Sequence, residues 1–156
     1  MRFQYVLLLT AYIKKIHEKD IVFVRIGKFF HIYGKDSFIV AYIFDYKLKQ
    51  IEGVYTCGFP MDSMNKIRAK LEEKKVNYLI VDRKNNYEVE DVCDFKNLNN
   101  YDKIFQKAKP LISIKIRIGN INEYLLNNID NKSIDLKELV KELEEVIDER
   151  RKISGN

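Results

Sequence analysis

Two cysteines and two histidines are all that this 156-residue chain offers to a metal or a redox couple. Cys57 and Cys93 lack the CxxC spacing of a metal knuckle, and neither His17 nor His31 is close to a cysteine in sequence, so no metal site is expected. The thiols read instead as small buried apolar side chains. No stretch reaches the roughly 18 uninterrupted apolar residues that a membrane helix needs. The start, Met1 to Leu9, is apolar, yet no small-residue cleavage site follows it and Lys14-Lys15 stand where one should be. It reads as a first amphipathic helix, with the cytoplasm as the expected compartment. Phosphate-loop, HExxH and GxSxG signatures are missing, as is any acidic cluster with two-metal spacing. Glu88, Glu90 and Asp91 are close in sequence, but Glu88 and Glu90 fall on one face of a strand and read as solvated. The expectation is a protein that is not an enzyme and carries no cofactor.

What the chain does contain is enough for one domain, or one domain with a helical appendage. A hydrophobic fraction of 46%, with 10 Tyr and 9 Phe, supplies a core. The net charge of +5 is unevenly spread, because residues 1–49 hold nine Lys and Arg against four acids and the remainder sums to zero. A basic excess confined to the segment with paired aromatics is the footprint of a phosphate-facing surface. A solvated lysine face in a Lys-rich chain is the other reading.

Residues 3–18 have the pattern of a helix and 21–27 that of a buried strand, with Arg25 its only charge. Gly27 and Gly34 punctuate the aromatic segment between them. Residues 36–46 are ambiguous, since β-branched content favours a strand and Asp36 as an N-cap favours a helix. A short strand over 51–58 precedes a helix over about 63–75, capped by Asp62 or Ser63, with Met64, Ile67 and Leu71 facing inward. Residues 76–82 form a strand, Asn85-Asn86 a turn, and 87–93 an edge strand. A helix is expected from Asp102 to Lys109, ahead of Pro110. The run 111–121 fits a strand by alternation and a helix by its stripe of Leu111, Ile114, Ile118 and Ile121. From Asp135 to Arg151 a helix carries one apolar seam through Leu136, Leu139, Leu143 and Val146. That seam packs on its own domain or docks a partner, either another protein or a second copy. These elements predict an α/β fold, a mixed β-sheet flanked by helices over 1–97, with a helical extension over 98–156.

The segment Gly27-Lys28-Phe29-Phe30-His31-Ile32-Tyr33-Gly34-Lys35 ends a strand with two adjacent aromatics between basic residues, and Gly58-Phe59-Pro60-Met61 later opens a helix. In that order and spacing, over about residues 4–95, the chain resembles the N-terminal mismatch-sensing domain of the MutS family of DNA repair ATPases. There a strand ends in Gly-Asp-Phe-Tyr-Glu and a Gly-Ile-Pro turn leads into a helix. The resemblance implies that Phe29 is the ring that wedges beside a mismatched base, kinking the duplex or serving as a stacking platform on single strands. Strand alternation puts Phe29 and Phe30 on opposite faces, with Phe29 expected outside and Phe30 in the core. His31 stands where the family has the glutamate that bonds the probed base, and Lys28 replaces its aspartate. Both departures move the site towards positive charge, because a protonated histidine adds phosphate affinity.

The expected nucleic-acid contacts are therefore Arg25, Lys28, Phe29, Phe30, His31 and Lys35, on DNA, an RNA–DNA hybrid or RNA. The family's connector, lever, clamp and ATPase domains are not found in these residues. Small MutS-like proteins of this kind accompany the reverse transcriptases of diversity-generating retroelements, and the resemblance implies such an accessory role. The alternative is an adaptor or oligomerisation module that kept the fold without binding nucleic acid, its partner surface being the 135–151 helix.

Overall fold

The computed structural model describes residues 2–155. Helix α1 (Arg2–Ile16) leads into strand β1 (Ile21–Ile26), which turns through Gly27-Lys28 into β2 (Phe29–Tyr33). Helix α2 (Lys35–Phe44) follows, then β3 (Lys49–Ile51), β4 (Val54–Pro60), a 3-10 turn over Met61–Ser63 and α3 (Met64–Lys74). The chain continues as β5 (Tyr78–Asp82), a 3-10 turn over Arg83–Asn85, β6 (Glu88–Cys93), α4 (Asn99–Asn127) and α5 (Leu136–Ile153). Two compact units result, one running up to Ile114 and the other starting at Lys115. The sequence divided at 97/98; the first turns of α4 belong instead with the sheet, because Tyr101, Ala108 and Ile112 are buried there.

The strands form one mixed sheet in the order β3-β4-β2-β1-β5-β6. Only β1 and β5 run parallel, and every other pairing is antiparallel. β1 and β5 are central and buried, so their side chains are apolar on both faces rather than alternating. One face packs Ile21, Phe23, Phe30 and Ile32 against α2, α3 and the start of α4. The other packs Val22, Val24, Tyr33 and Val81 under Phe3, Val6 and Leu7 of α1. The protein is thus the α/β sandwich the sequence predicted, and among the described residues no helix is long and apolar enough to cross a membrane.

Several local expectations are corrected. The ambiguous run 36–46 is helical, but Asp36 is not its cap: Gly34 takes the N-cap position and the Asp36 side chain turns into the core. Ser63 occupies the N-cap of α3 without a side-chain bond, since the Met61–Ser63 turn already feeds the backbone into the helix. The strand expected over 51–58 is a hairpin, with β3 and β4 joined through Glu52 and Gly53, both at positive φ. Pro110 does not end a helix. It removes one backbone donor, but its fixed φ is helical, and Ala108 and Ile112 are buried on either side of it, so α4 runs on through 111–121. β6 is an edge strand as expected, yet a register shift at Ile80/Val81 takes Glu90 out of the ladder, so Glu88 and Glu90 are not equivalent positions.

β2 stops pairing with β1 at His31 and runs on to Tyr33 against β4 alone before α2 begins. The Val22 N–H is consequently without a strand partner, and it donates to Asp36 Oδ2 at 2.9 Å. Lys14 Nζ lies 2.7 Å from Asp36 Oδ1, the Tyr101 hydroxyl donates to the same oxygen, and Lys14 sits 4.4 Å over the Tyr101 ring. Burial raises the Asp36 carboxyl, while Lys14, Tyr101 and Val22 pull it back towards ionisation. Asp36→Ala leaves those donors facing a void, and we expect a loss of about 3 kcal/mol, in the range seen when one partner of a buried pair is removed. Urea denaturation followed by circular dichroism measures it.

Candidate nucleic-acid interface

β1 and β2 form a hairpin in which Ile26 faces Phe29 directly, leaving Gly27-Lys28 as a two-residue turn. Such turns need positive φ at their first position, and Gly27 supplies it at φ 62. Lys28 is consequently exposed at the tip. The next two residues separate by strand alternation. Phe29 is 51% exposed, whereas Phe30 is 5% exposed and meets Phe23 edge-on and Phe59 at 5.5 Å. One ring is held out at the hairpin and its neighbour anchors the strand that holds it.

His31 shares the face of Phe29, as does Tyr33 further along β2. The His31 ring stacks on Tyr33 with centroids 6.4 Å apart, and Tyr33 is buried against Phe3 of α1. Gly58 on β4 lies opposite His31, and a Cβ there would come within 3.0 Å of the Phe30 carbonyl and 3.8 Å of His31 Nδ1. Glycine therefore leaves the imidazole its place. Partial burial lowers the His31 pKa, so the ring is neutral at pH 7. It sits on the face of Phe29 as a neutral hydrogen-bonding group, and gains its charge only on acidification.

The remaining predicted contacts do not converge on Phe29. Lys35 is at the far end of β2, more than about 10 Å away at 3.3 Å per strand residue. Its Nζ lies 4.8 Å over the Phe105 ring. Arg25 points to the opposite face with Phe30, where it lies 3.8 Å from Glu90 and 4.0 Å from Asp82. An open hollow of about 390 Å³ there is lined by Arg25, Phe30, Met61, Arg68 and Glu90 among others. Burial and the neighbouring Asp82 raise the Glu90 carboxyl, against the pull of Arg25.

Two cations at the hairpin end of the sheet escaped the sequence reading. β5 runs parallel to β1, so its C-terminal end, with Arg83 and Lys84 in the following turn, comes to the same edge of the sheet as Lys28 and Phe29. The Asp82 side chain accepts from the Lys84 N–H at 2.8 Å, and Asn86 and Tyr87 at positive φ close the turn. Arg83 is near enough to Tyr33 and Tyr87 to favour their ionisation, although burial still pushes Tyr33 up to about 12. Summing charge along the chain hid these residues, because acids elsewhere after residue 49 cancel them. The signal lay in the dipeptide following a strand that pairs in parallel.

The described residues thus form a mixed sheet that holds one aromatic ring out at a hairpin tip, beside Lys28. The family model for MutS domain I matches residues 9–103, and the chain belongs to that family. It is a MutS-like mismatch-recognition module. A search of curated proteins gave no match.

Phe29→Ala should leave stability within about 1 kcal/mol of wild type, whereas Phe30→Ala should cost about 3–5 kcal/mol; thermal unfolding separates the two. His31 makes a signed pH prediction. Its folded pKa lies below the ordinary 6.5, so the unfolded chain takes up the proton first. Stability therefore falls as pH drops below 6.5, while DNA affinity rises once the folded-state pKa is passed. His31→Gln should flatten both responses in parallel melts and binding titrations.

Proposed function

We propose that the chain is a non-catalytic nucleic-acid-binding accessory module that engages imperfectly paired strands through Phe29. Its setting in this proposal is the cytoplasm, beside the reverse transcriptase of a diversity-generating retroelement, where it contacts DNA or RNA–DNA hybrid as the enzyme copies. The observation that carries the binding reading is the half-exposed Phe29 ring, fixed beside Lys28 by a buried Phe30. A base gains about 1–3 kcal/mol by stacking on such a ring. Lys28, Arg83 and Lys84 supply backbone attraction at the same edge, and this part of the binding is blind to sequence.

The retroelement setting is supported by family analogy and by the chemistry of His31. An acidic group beside the wedge repels the phosphates of well-paired duplex, and a neutral imidazole does not. The site is therefore suited to tolerate imperfect pairing and to bind without strict discrimination.

The test is titration of wild type and Phe29→Ala with matched duplex, mismatched duplex, RNA–DNA hybrid and single strands across a salt series. Wild-type affinity should fall steeply with salt, and Phe29→Ala should weaken binding roughly 5- to 150-fold, the equivalent of about 1–3 kcal/mol. Binding that ignores salt, or none at all, overturns the proposal. The double variant Arg83→Ala, Lys84→Ala should reduce the slope of log affinity against log salt by about 2 and leave the substrate ranking unchanged.

A further inference from the structure

The unit from Lys115 onward carries an apolar surface that its own residues do not cover. No residue of α5 is buried. On its seam Val146 is 54%, Ile147 50% and Ile153 81% exposed, and on the α4 portion of the same unit Ile118 is 60% and Ile121 56% exposed. The apolar positions Leu136, Leu139, Leu143 and Val146 alternate by three and four, the heptad spacing of helices that pack along their length, and Ile153 lies one heptad beyond Val146. Tyr124, Leu126 and Ile129 are also exposed. Side chains of this size and exposure leave an apolar area on the order of the 800 Å² per partner that a stable complex buries, and more than a monomer ordinarily shows to water.

Charge indicates which occupant fits. Residues 115–156 hold eight Lys and Arg against nine Asp and Glu, while residues 1–114 hold twenty against fourteen. The near-neutral unit is not a nucleic-acid surface, and two copies of it do not repel. The first turns of α5 mix Lys137 and Lys141 with Glu138, but from there an acidic stretch, Glu142, Glu144, Glu145, Asp148 and Glu149, runs directly into the basic end Arg150, Arg151 and Lys152. A second α5 laid antiparallel brings each basic end against the acidic stretch of the other and opposes the two helix dipoles.

We propose that the unit from Lys115 onward is a self-association surface, on which a second copy of this chain docks with its α5 antiparallel to the first and closes a helical bundle across Val146, Ile147 and Ile153. The inference does not depend on nucleic-acid binding by the sheet unit. It gives the assembly two Phe29 rings.

Sedimentation equilibrium of the full chain tests it. The wild type should sediment at twice 18.6 kDa at micromolar concentration. The variant Val146→Glu, Ile147→Glu alters side chains already exposed in the monomer, so it should keep its helical signal and raise the dimer dissociation constant at least about 100-fold. Arg150→Glu, Arg151→Glu should weaken the dimer about tenfold and should do so less at high salt. A wild type that remains at 18.6 kDa up to about 100 μM overturns the proposal, as does a dimer that survives Val146→Glu, Ile147→Glu.

Discussion

The Asp36 carboxylate is the constraint on which the rest of the sheet unit depends. β2 pairs with β1 only as far as His31 while continuing along β4 to Tyr33, and this leaves the beginning of β1 without a backbone partner on that side. Asp36 replaces that partner with its own oxygens and, in the same place, receives Lys14 from α1 and Tyr101 from α4. One buried group thus fixes where helices on both faces meet the central strand. Burying a charge this way is costly unless every lone pair is used, which makes the arrangement intolerant of alternatives. The β1–β2 hairpin that carries Phe29 is positioned by the same strand.

Exposure of Phe29 is made possible by what its neighbours bury. Phe30, Phe23 and Phe59 form an aromatic cluster on one face, and Tyr33 is held under α1 on the other. A ring left half in water costs little in a unit with this much aromatic core. His31 is set between the two regimes. Its stacking on Tyr33 draws it partly out of water, so the residue that gives the site a potential charge is kept neutral under ordinary conditions. The basic side chains at the hairpin end of the sheet are instead Lys28 and, in the turn after β5, Arg83 and Lys84.

The two compact units differ in what they offer. The first has a buried sheet core and an excess of positive charge, with Tyr5, Leu8, Tyr12 and Ile16 of α1 left exposed. The second has balanced charge and its apolar residues outside.

Much of this was determined by the sequence alone. Strand alternation assigned Phe29 to solvent and Phe30 to the core, and the apolar periodicity of 3–18, 63–75 and 135–151 located α1, α3 and α5. The Gly-x-Pro turn and the aromatic segment identified the family. These signals are local, arising from side chains a few residues apart on one element. Where local signals conflicted, tertiary packing decided: 36–46 became a helix, and α4 continued through Pro110 because its flanks were buried. Asp36 exchanged a capping role for a core one because only the folded chain brings Val22, Lys14 and Tyr101 to it. The same is true of the interface. Lys35 and Arg25 are near Phe29 in sequence but are turned away by the geometry of β1 and β2, while Arg83 and Lys84 are far in sequence and are brought in by the parallel pairing of β5. Periodicity shows which face a residue occupies, but the ends of strands meet only through the topology of the sheet, and that is settled by contacts between residues distant in the chain.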